Sequence, residues 1–253
     1  MPTALITGAS AGLGAEFATQ LAARGADLVL VARSTDALKG LAEKLRDEYG
    51  VAVDVRTADL TQTRGINKVA ERLADTEQPI DLLVNNAGFG LPLHFASNDI
   101  DDEVAHLRIH VEAPMRLTHA ALQGMRGRGG RIINVASVAA FIPRSTYAAC
   151  KSWLISFSEW ANAEYARDGV SVTALCPGFT HTSFHERMGL PPGQEGIAPF
   201  LWLDAPDVVR EALRDAARGR AVSIPSLRYK AIVALTRVLP RSVLARTGRQ
   251  GRV

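Results

Sequence analysis

Tyr147 and Lys151 stand four residues apart, about one turn of an α-helix, so their side chains can share a face. A phenol with an ordinary pKa near ~10 is a poor base at neutral pH, and a neighbouring ammonium favours its phenolate. The pair makes Tyr147 a candidate general acid and base, able to give a proton to a substrate and take one back. On its own such a pair is usually a surface feature, so its weight depends on where the fold puts it. A second stretch, HLRIHVEAP (106–114), sets His106 and His110 one turn apart, as in a helical metal pair, and places Pro114 four residues further on. A third, TGASAGLG (7–14), has glycines at 8, 12 and 14. They permit a tight turn and a close approach of backbone amides to a phosphate, which a following helix would face with its positive N-terminal end.

The elements that must position these residues alternate along the chain. TALIT (3–7), DLVLVA (27–32), VAVDVR (51–56), DLLVNNA (81–87), RIINVAS (131–137) and VSVTALC (170–176) read as strands. Several are nearly continuous apolar runs, as in a parallel sheet covered on both faces. Helical patterns near 12–24, 35–49, 61–77, 99–123 and 146–167 separate them. The repeat predicts one α/β domain over residues 1–253, a doubly wound parallel sheet with helices on both faces. After Cys176 the rhythm changes. Residues 177–200 are rich in Pro, Gly, His and Met and read as a long loop, with a lid at about 180–204. A helix over 207–218, the short strand AVSIP and a basic helical tail at about 226–253 follow.

A strand, a glycine-rich turn and a helix in that order form the dinucleotide-binding arrangement. The spacing G-x-x-x-G-x-G, with Asn85-Asn86-Ala87-Gly88 after the fourth strand and Tyr147-x-x-x-Lys151 after the fifth, resembles the short-chain dehydrogenase/reductase family over roughly residues 3–185. The resemblance implies a Rossmann-like fold and cofactor contacts from Gly8, Ser10, Gly12, Leu13 and Gly14 at the turn. It implies further contacts from Asp59 and Leu60 at the adenine, from Asn86, Ala87 and Gly88, and from Tyr147 and Lys151. Pro177, Gly178 and Thr182 match the nicotinamide-side segment. Ser137 would hold the carbonyl oxygen and Tyr147 would act as the acid and base. NAD-preferring relatives carry an acidic residue at the end of the second strand. Here Ala32 is followed by Arg33, which suits a 2′-phosphate, so NADP(H) is preferred and NAD(H) is the second choice.

Two departures from the family pattern stand out. Only ten residues lead from Ser137 to Tyr147, fewer than in most members, which should reshape the pocket wall around Pro143 and Arg144. Ser145 is the fallback hydroxyl, although its place is that of a helix N-cap. The family's fourth catalytic position, an Asn whose main-chain carbonyl holds a relay water for the Lys, is occupied by His110. Pro114 lacks an N–H, so a helix running through it leaves the His110 carbonyl without its α-helical partner. His110 is therefore read as the relay residue, able to pass protons near neutral pH, and His106 as an ordinary helix residue.

Composition narrows the setting. With 47% hydrophobic and 22% charged residues, the chain can bury a sizeable core and lacks a disorder signature. Cys150 and Cys176 make no disulfide framework and suit a reducing cytosol; Cys150 reads as helix packing rather than a redox group. The opening MPTALITGAS predicts no signal peptide, and no apolar run is long enough to span a bilayer. No metal is expected. Residues 228–253 hold seven Lys/Arg and no Asp or Glu. That tail could lie on an anionic membrane, pack on the body or meet a partner subunit; nucleic acid is not expected, because no recognition motif accompanies the charge. Phe184, Met188, Leu190, Phe200 and Trp202 suggest a small-molecule carbonyl or alcohol substrate that is apolar and fairly bulky, or equally lid packing or an oligomer contact, and His181 and His185 read as lid residues. The expectation is a cytoplasmic, homodimeric or homotetrameric NADP(H)-dependent oxidoreductase, with peripheral membrane contact one of the three readings open for the tail. The competing reading is an inactive nucleotide-binding sensor or scaffold.

Overall fold

The computed structural model of the protein describes residues 2–93, 95–182 and 198–238. Its strands are β1 (Thr3–Thr7), β2 (Asp27–Ala32), β3 (Val53–Thr57), β4 (Leu82–Asn85), β5 (Gly130–Val135), β6 (Val170–Leu175) and β7 (Val222–Ser223). All pair in parallel, in the order β3-β2-β1-β4-β5-β6-β7. The order reverses between β1 and β4, and the crevice at such a switch point, beyond the strands' C-terminal ends, is where ligands sit in open α/β sheets.

Eight α-helices are described: α1 (Gly12–Ala22), α2 (Thr35–Tyr49), α3 (Thr63–Ala74), α4 (Ile100–Leu107), α5 (Ala113–Met125), α6 (Thr146–Tyr165), α7 (Ala205–Ala217) and α8 (Leu227–Val238). Alternate strand residues point to opposite faces, so the sheet carries two cores. Ala4, Ile6, Leu28 and Leu30 pack on one face with Phe17, Leu38 and Leu45 from α1 and α2 and with Val209 and Ala212 from α7. Leu5, Val29, Leu83 and Ile132 pack on the other with Ile66 and Leu73 from α3, Leu117 and Met125 from α5 and Ala161 from α6. This is the doubly wound arrangement expected.

The predicted helix over 99–123 is not one α-helix. Between α4 and α5 the chain forms a π-helical segment, Arg108–Glu112, and the Ala113 N–H reaches back five residues to the Arg108 carbonyl. Pro114 then falls in the first turn of α5, where a missing N–H does least harm. The bulge lies at the level of His110, and such insertions re-aim side chains on either side of them.

The basic tail is not an appendage where it is described. Tyr229 and Val233 of α8 are buried in the body, while Leu227, Leu235 and Val238 face outward. The remainder of the expected tail (239–253) and the lid residues Phe184, His185, Met188 and Leu190 lie outside the described residues. No described helix is long and apolar enough to cross a membrane.

Candidate active site

The glycine turn follows β1 because no other residue type fits there. Gly8 has φ +66, and a Cβ on it would lie 2.9 Å from both Ala87 Cα and Asn86 Nδ2. A Cβ on Gly14 would lie 2.2 Å from the Gly8 carbonyl oxygen, so α1 starts tight against the turn. Asn86 braces the same turn, its Nδ2 donating to Thr7 O at 2.9 Å and Gly8 O at 3.2 Å. The Thr7 hydroxyl receives the N–H groups of Asn86 and Ala87. The amide of Asn86 is therefore spent on the turn, and the residue shapes the cavity indirectly.

At the C-terminal edge of the sheet lies a cavity of about 630 Å³. Gly8, Ser10, Gly12, Leu13, Arg33, Asp59, Leu60, Asn86, Ala87, Gly88, His110, Ser137, Tyr147, Lys151, Pro177, Gly178 and Thr182 all line it; of the expected residues only Gly14 stands behind the wall. Arg33 is exposed at the end of β2 and makes no ion pair or side-chain hydrogen bond among the described residues. Asp59 is the one carboxylate of the described lining, and its Oδ1 accepts from the Thr61 N–H and hydroxyl. Thr182 closes over Gly12, where a Cβ would come 3.3 Å from its own. The result is a groove of glycines and amides carrying a free guanidinium at its far end, which complements a phosphate-bearing dinucleotide.

At the other end α6 brings Tyr147 and Lys151 to the end of β5. Ser145 caps the helix, accepting from the Ala148 N–H at 3.1 Å, as its position predicts. Ser137 accepts from the Ala139 N–H at 3.1 Å and its hydroxyl hydrogen-bonds the Tyr147 phenol, so the short connection does join the two. Burial pushes the phenol up to about 12 against the opposing Ser137 hydrogen bond. The expected lowering by Lys151 is not seen. The Lys151 ammonium donates to Val135 O at 2.6 Å, 5.5 Å from the Tyr147 ring centre, and burial lowers its own pKa to about 8. Tyr147 therefore rests as the acid.

His110 is 1% exposed, with Nε2 2.8 Å from Phe89 O. A carbonyl only accepts, so Nε2 carries the hydrogen and Nδ1 is a bare acceptor without a partner. Burial and the nearby Lys151 charge hold the ring well below the usual imidazole range. The expectation that this ring passes protons by titrating near neutral pH is thus corrected: it stays neutral. His106 is a residue of α4 that does not line the cavity; its buried ring stands 4.5 Å from His110 and 6.0 Å from Tyr147 by centroid, with neither nitrogen hydrogen-bonded among the described residues. Burial takes its pKa down to about 4. Among the described residues no third His, Cys, Asp or Glu joins the two in a metal-binding group.

The rest of the wall was not read from the sequence. Phe89, Leu91, Leu93, Phe141, Ile142 and Leu201 make it apolar, and Tyr229, Ile232, Val233 and Thr236 of α8 complete it. Phe200 and Trp202 do not line it; Phe200 is 63% exposed and Trp202 stacks on His181 at 4.7 Å. Tyr229 fills the space over Gly178, where a Cβ would meet its ring at 2.0 Å. Its hydroxyl accepts from the Phe179 N–H at 3.0 Å and donates to Leu201 O at 2.7 Å, tying both sides of the lid segment to α8. Residues 229, 232, 233 and 236 recur at i, i+3, i+4 and i+7, a periodicity that could have revealed this face.

Known proteins carry the same arrangement. The family profile for short chain dehydrogenases matches residues 2–190. A 3-oxoacyl-(acyl-carrier-protein) reductase of Aquifex aeolicus is 31% identical over 182 residues, 70% of this chain and 73% of that protein. A short-chain dehydrogenase from Sphingobium yanoikuyae, solved in complex with NADPH, superposes with a TM-score of 0.85 at 34% identity, covering 100% of this chain and 98% of the other. A bulky-bulky ketone specific alcohol dehydrogenase from Comamonas testosteroni has a TM-score of 0.80 at 32% identity, with 96% of each chain covered. With its parallel sheet, its glycine turn and its Ser–Tyr–Lys cluster, the chain belongs to the short-chain dehydrogenase/reductase family of oxidoreductases.

Proposed function

We propose that the protein is an NADP(H)-dependent reductase of apolar ketones and aldehydes, with Tyr147 as general acid. The observation that carries the reading is the junction, in one cavity, of the Ser137–Tyr147–Lys151 cluster with a glycine turn and an unpaired Arg33. The cradle fits a dinucleotide, since Gly8 and Gly14 leave open the space that side chains would fill. Arg33 would meet the 2′-phosphate by charge-assisted hydrogen bonds, with no carboxylate opposing it at the end of β2. The NADPH in the Sphingobium relative supports this choice. When bound, the reduced nicotinamide supplies a hydride and leaves a positive charge.

The chain's own groups do the rest. Ser137 and Tyr147 hydrogen-bond the carbonyl oxygen and Tyr147 gives it a proton. A phenol held at about 12 is fully protonated at neutral pH, which suits the reductive direction. Lys151, at about 8, remains mostly cationic 5.5 Å from the Tyr147 ring centre and is assigned the return of a proton to the phenolate that each turnover leaves. His110 is assigned the relay through its backbone: the residue four on is Pro114, whose nitrogen carries no hydrogen, so an α-helical bond to the His110 carbonyl cannot form and a relay water can compete for that oxygen. The apolar wall, Phe89 to Leu93 with Phe141, Ile142 and Leu201, fits a bulky hydrophobic ketone, the substrate type in the Comamonas enzyme's description. Ile100, Val104 and Leu107, an exposed i, i+4, i+7 stripe on α4, are assigned to contact between copies, which light scattering reads directly.

Titrating the protein with NADPH and NADH by fluorescence tests the cofactor assignment. NADPH should bind at least tenfold tighter, and Arg33→Ala should remove most of that difference, as expected for the loss of about 1.5–3 kcal/mol of charged hydrogen bonding. Equal affinities in the wild type would overturn it.

A further inference from the structure

The outer face of helix α8 is apolar over most of its described side chains. Its inner arc is spent on the body, with Tyr229 and Val233 buried and Ile232, Val233 and Thr236 in the cavity wall. On the opposite arc Leu227 is 81%, Leu235 59% and Val238 79% exposed, and the exposed Ala231 and Ala234 lie among them. Residues 227, 231, 234, 235 and 238 recur at i, i+4, i+7, i+8 and i+11, so they form one continuous apolar stripe. Lys230 and Arg228 sit at its edges and hold the helix in place: Lys230 pairs with Glu211 at 2.6 Å, and Arg228 donates to the Phe200 carbonyl. The anchored helix cannot roll its stripe inward. Phe200, itself exposed, extends the apolar surface beside Arg228.

Charge selects the occupant. In sequence, α8 and the residues that follow it (228–253) carry seven Lys/Arg and no acidic residue, so the apolar stripe adjoins a run of positive charge, which favours a surface that is apolar and anionic together. A second copy of the chain docking here symmetrically would oppose two such basic runs. A bilayer with anionic headgroups satisfies both demands. Ile232 adds a path, being 39% exposed at the surface and also part of the cavity wall.

We propose that the outer face of α8 docks on anionic lipid bilayers, and that lipid-soluble substrate reaches the cavity from the bilayer past Ile232. The docking stands on the helix alone; the substrate route rests on the ketone-reductase reading above.

Flotation of the full chain tests the docking, using vesicles of phosphatidylcholine alone and of equal parts phosphatidylcholine and phosphatidylglycerol. Binding should require phosphatidylglycerol and weaken as salt is raised. Leu235→Glu with Val238→Glu should weaken it about tenfold or more, leaving NADPH affinity and turnover of a water-soluble ketone unchanged. No binding to the anionic vesicles, or binding unaffected by the double substitution, would overturn the docking. So would a double variant that splits a wild-type oligomer while neither form binds vesicles, because the stripe would then join copies of the chain. For the route, a ketone dissolved in the vesicles should be reduced more slowly by the double variant, in proportion to the binding lost. An unchanged rate there, with binding gone, would overturn the route and leave the docking standing.

Discussion

Gly88→Ala isolates the contact that holds His110 against the catalytic tyrosine. A Cβ on Gly88 would lie 2.3 Å from His110 Cε1 and 3.1 Å from Nδ1. Carbon atoms not bonded to each other prefer at least about 3.5 Å, so the ring would have to withdraw by roughly 1 Å. It has little room, since Nε2 is held by Phe89 O at 2.8 Å and the ring backs onto His106 at 4.5 Å and Tyr147 at 5.4 Å by centroid. Overpacking costs about 1–3 kcal/mol and loss of the Phe89 bond about 1 more, so Gly88→Ala should destabilise by about 2–4 kcal/mol. Gly88 is not in the left-handed region, so the backbone adds no penalty. Urea unfolding of the wild type, Gly88→Ala, His110→Ala and the double variant measures the coupling. In the His110→Ala background the added methyl meets no ring, and its cost should fall to within about 0.5 kcal/mol of zero. Additive effects of the two substitutions would refute the packing argument.

Other perturbations test other links. His106, lowered to about 4 when folded against 6.5 ordinarily, binds its proton in the unfolded chain first as pH falls. Its contribution should be full above pH 6.5 and decline by about 2–3 kcal/mol towards pH 4, with His110 acting in the same direction; between those pH values the dependence of melting on pH should be flatter for His106→Leu. Tyr229→Phe leaves the Phe179 N–H and Leu201 carbonyl without their partner; calorimetry should show a melting temperature lower by about 5 °C, and steady-state kinetics a larger change in cofactor KM than in kcat. Pro114→Ala adds an N–H that can compete with the relay water for the His110 carbonyl and should lower kcat about tenfold, roughly one hydrogen bond's worth, whereas His110→Asn should keep most turnover. The reverse pattern would place the relay on the imidazole instead of the backbone.

What the sequence disclosed follows from what each segment depends on. TALIT and DLVLVA are strands to the residue because apolar runs buried on both faces end where polar turns begin. Helix α2 is equally legible, since Ser34 accepts from the Ala37 N–H at one end and Gly50 takes the left-handed cap at the other. The π-helical segment left no such mark. One extra residue in a long apolar pattern barely changes its period, yet it helps decide where His106 and His110 point. Packing of α8 on the body is one of three readings its interleaved Arg and Lys leave open, and its place in the cavity is not legible, because Tyr229, Ile232, Val233 and Thr236 form a wall only where the lid stems meet them. The direction of the Tyr147 shift depended on burial, which spacing alone does not report. The motif showed which groups meet, and the surrounding core set their resting protonation.

The most direct test of Tyr147 as the acid is NADPH-driven reduction of a bulky aryl ketone, followed at 340 nm as in any nicotinamide assay, for wild type and Tyr147→Phe, with NADPH binding measured on the same samples. Removing the hydroxyl should lower kcat by about 10²–10⁴-fold with NADPH affinity almost unchanged. A variant that binds NADPH normally and reduces the ketone at the wild-type rate would contradict the mechanism.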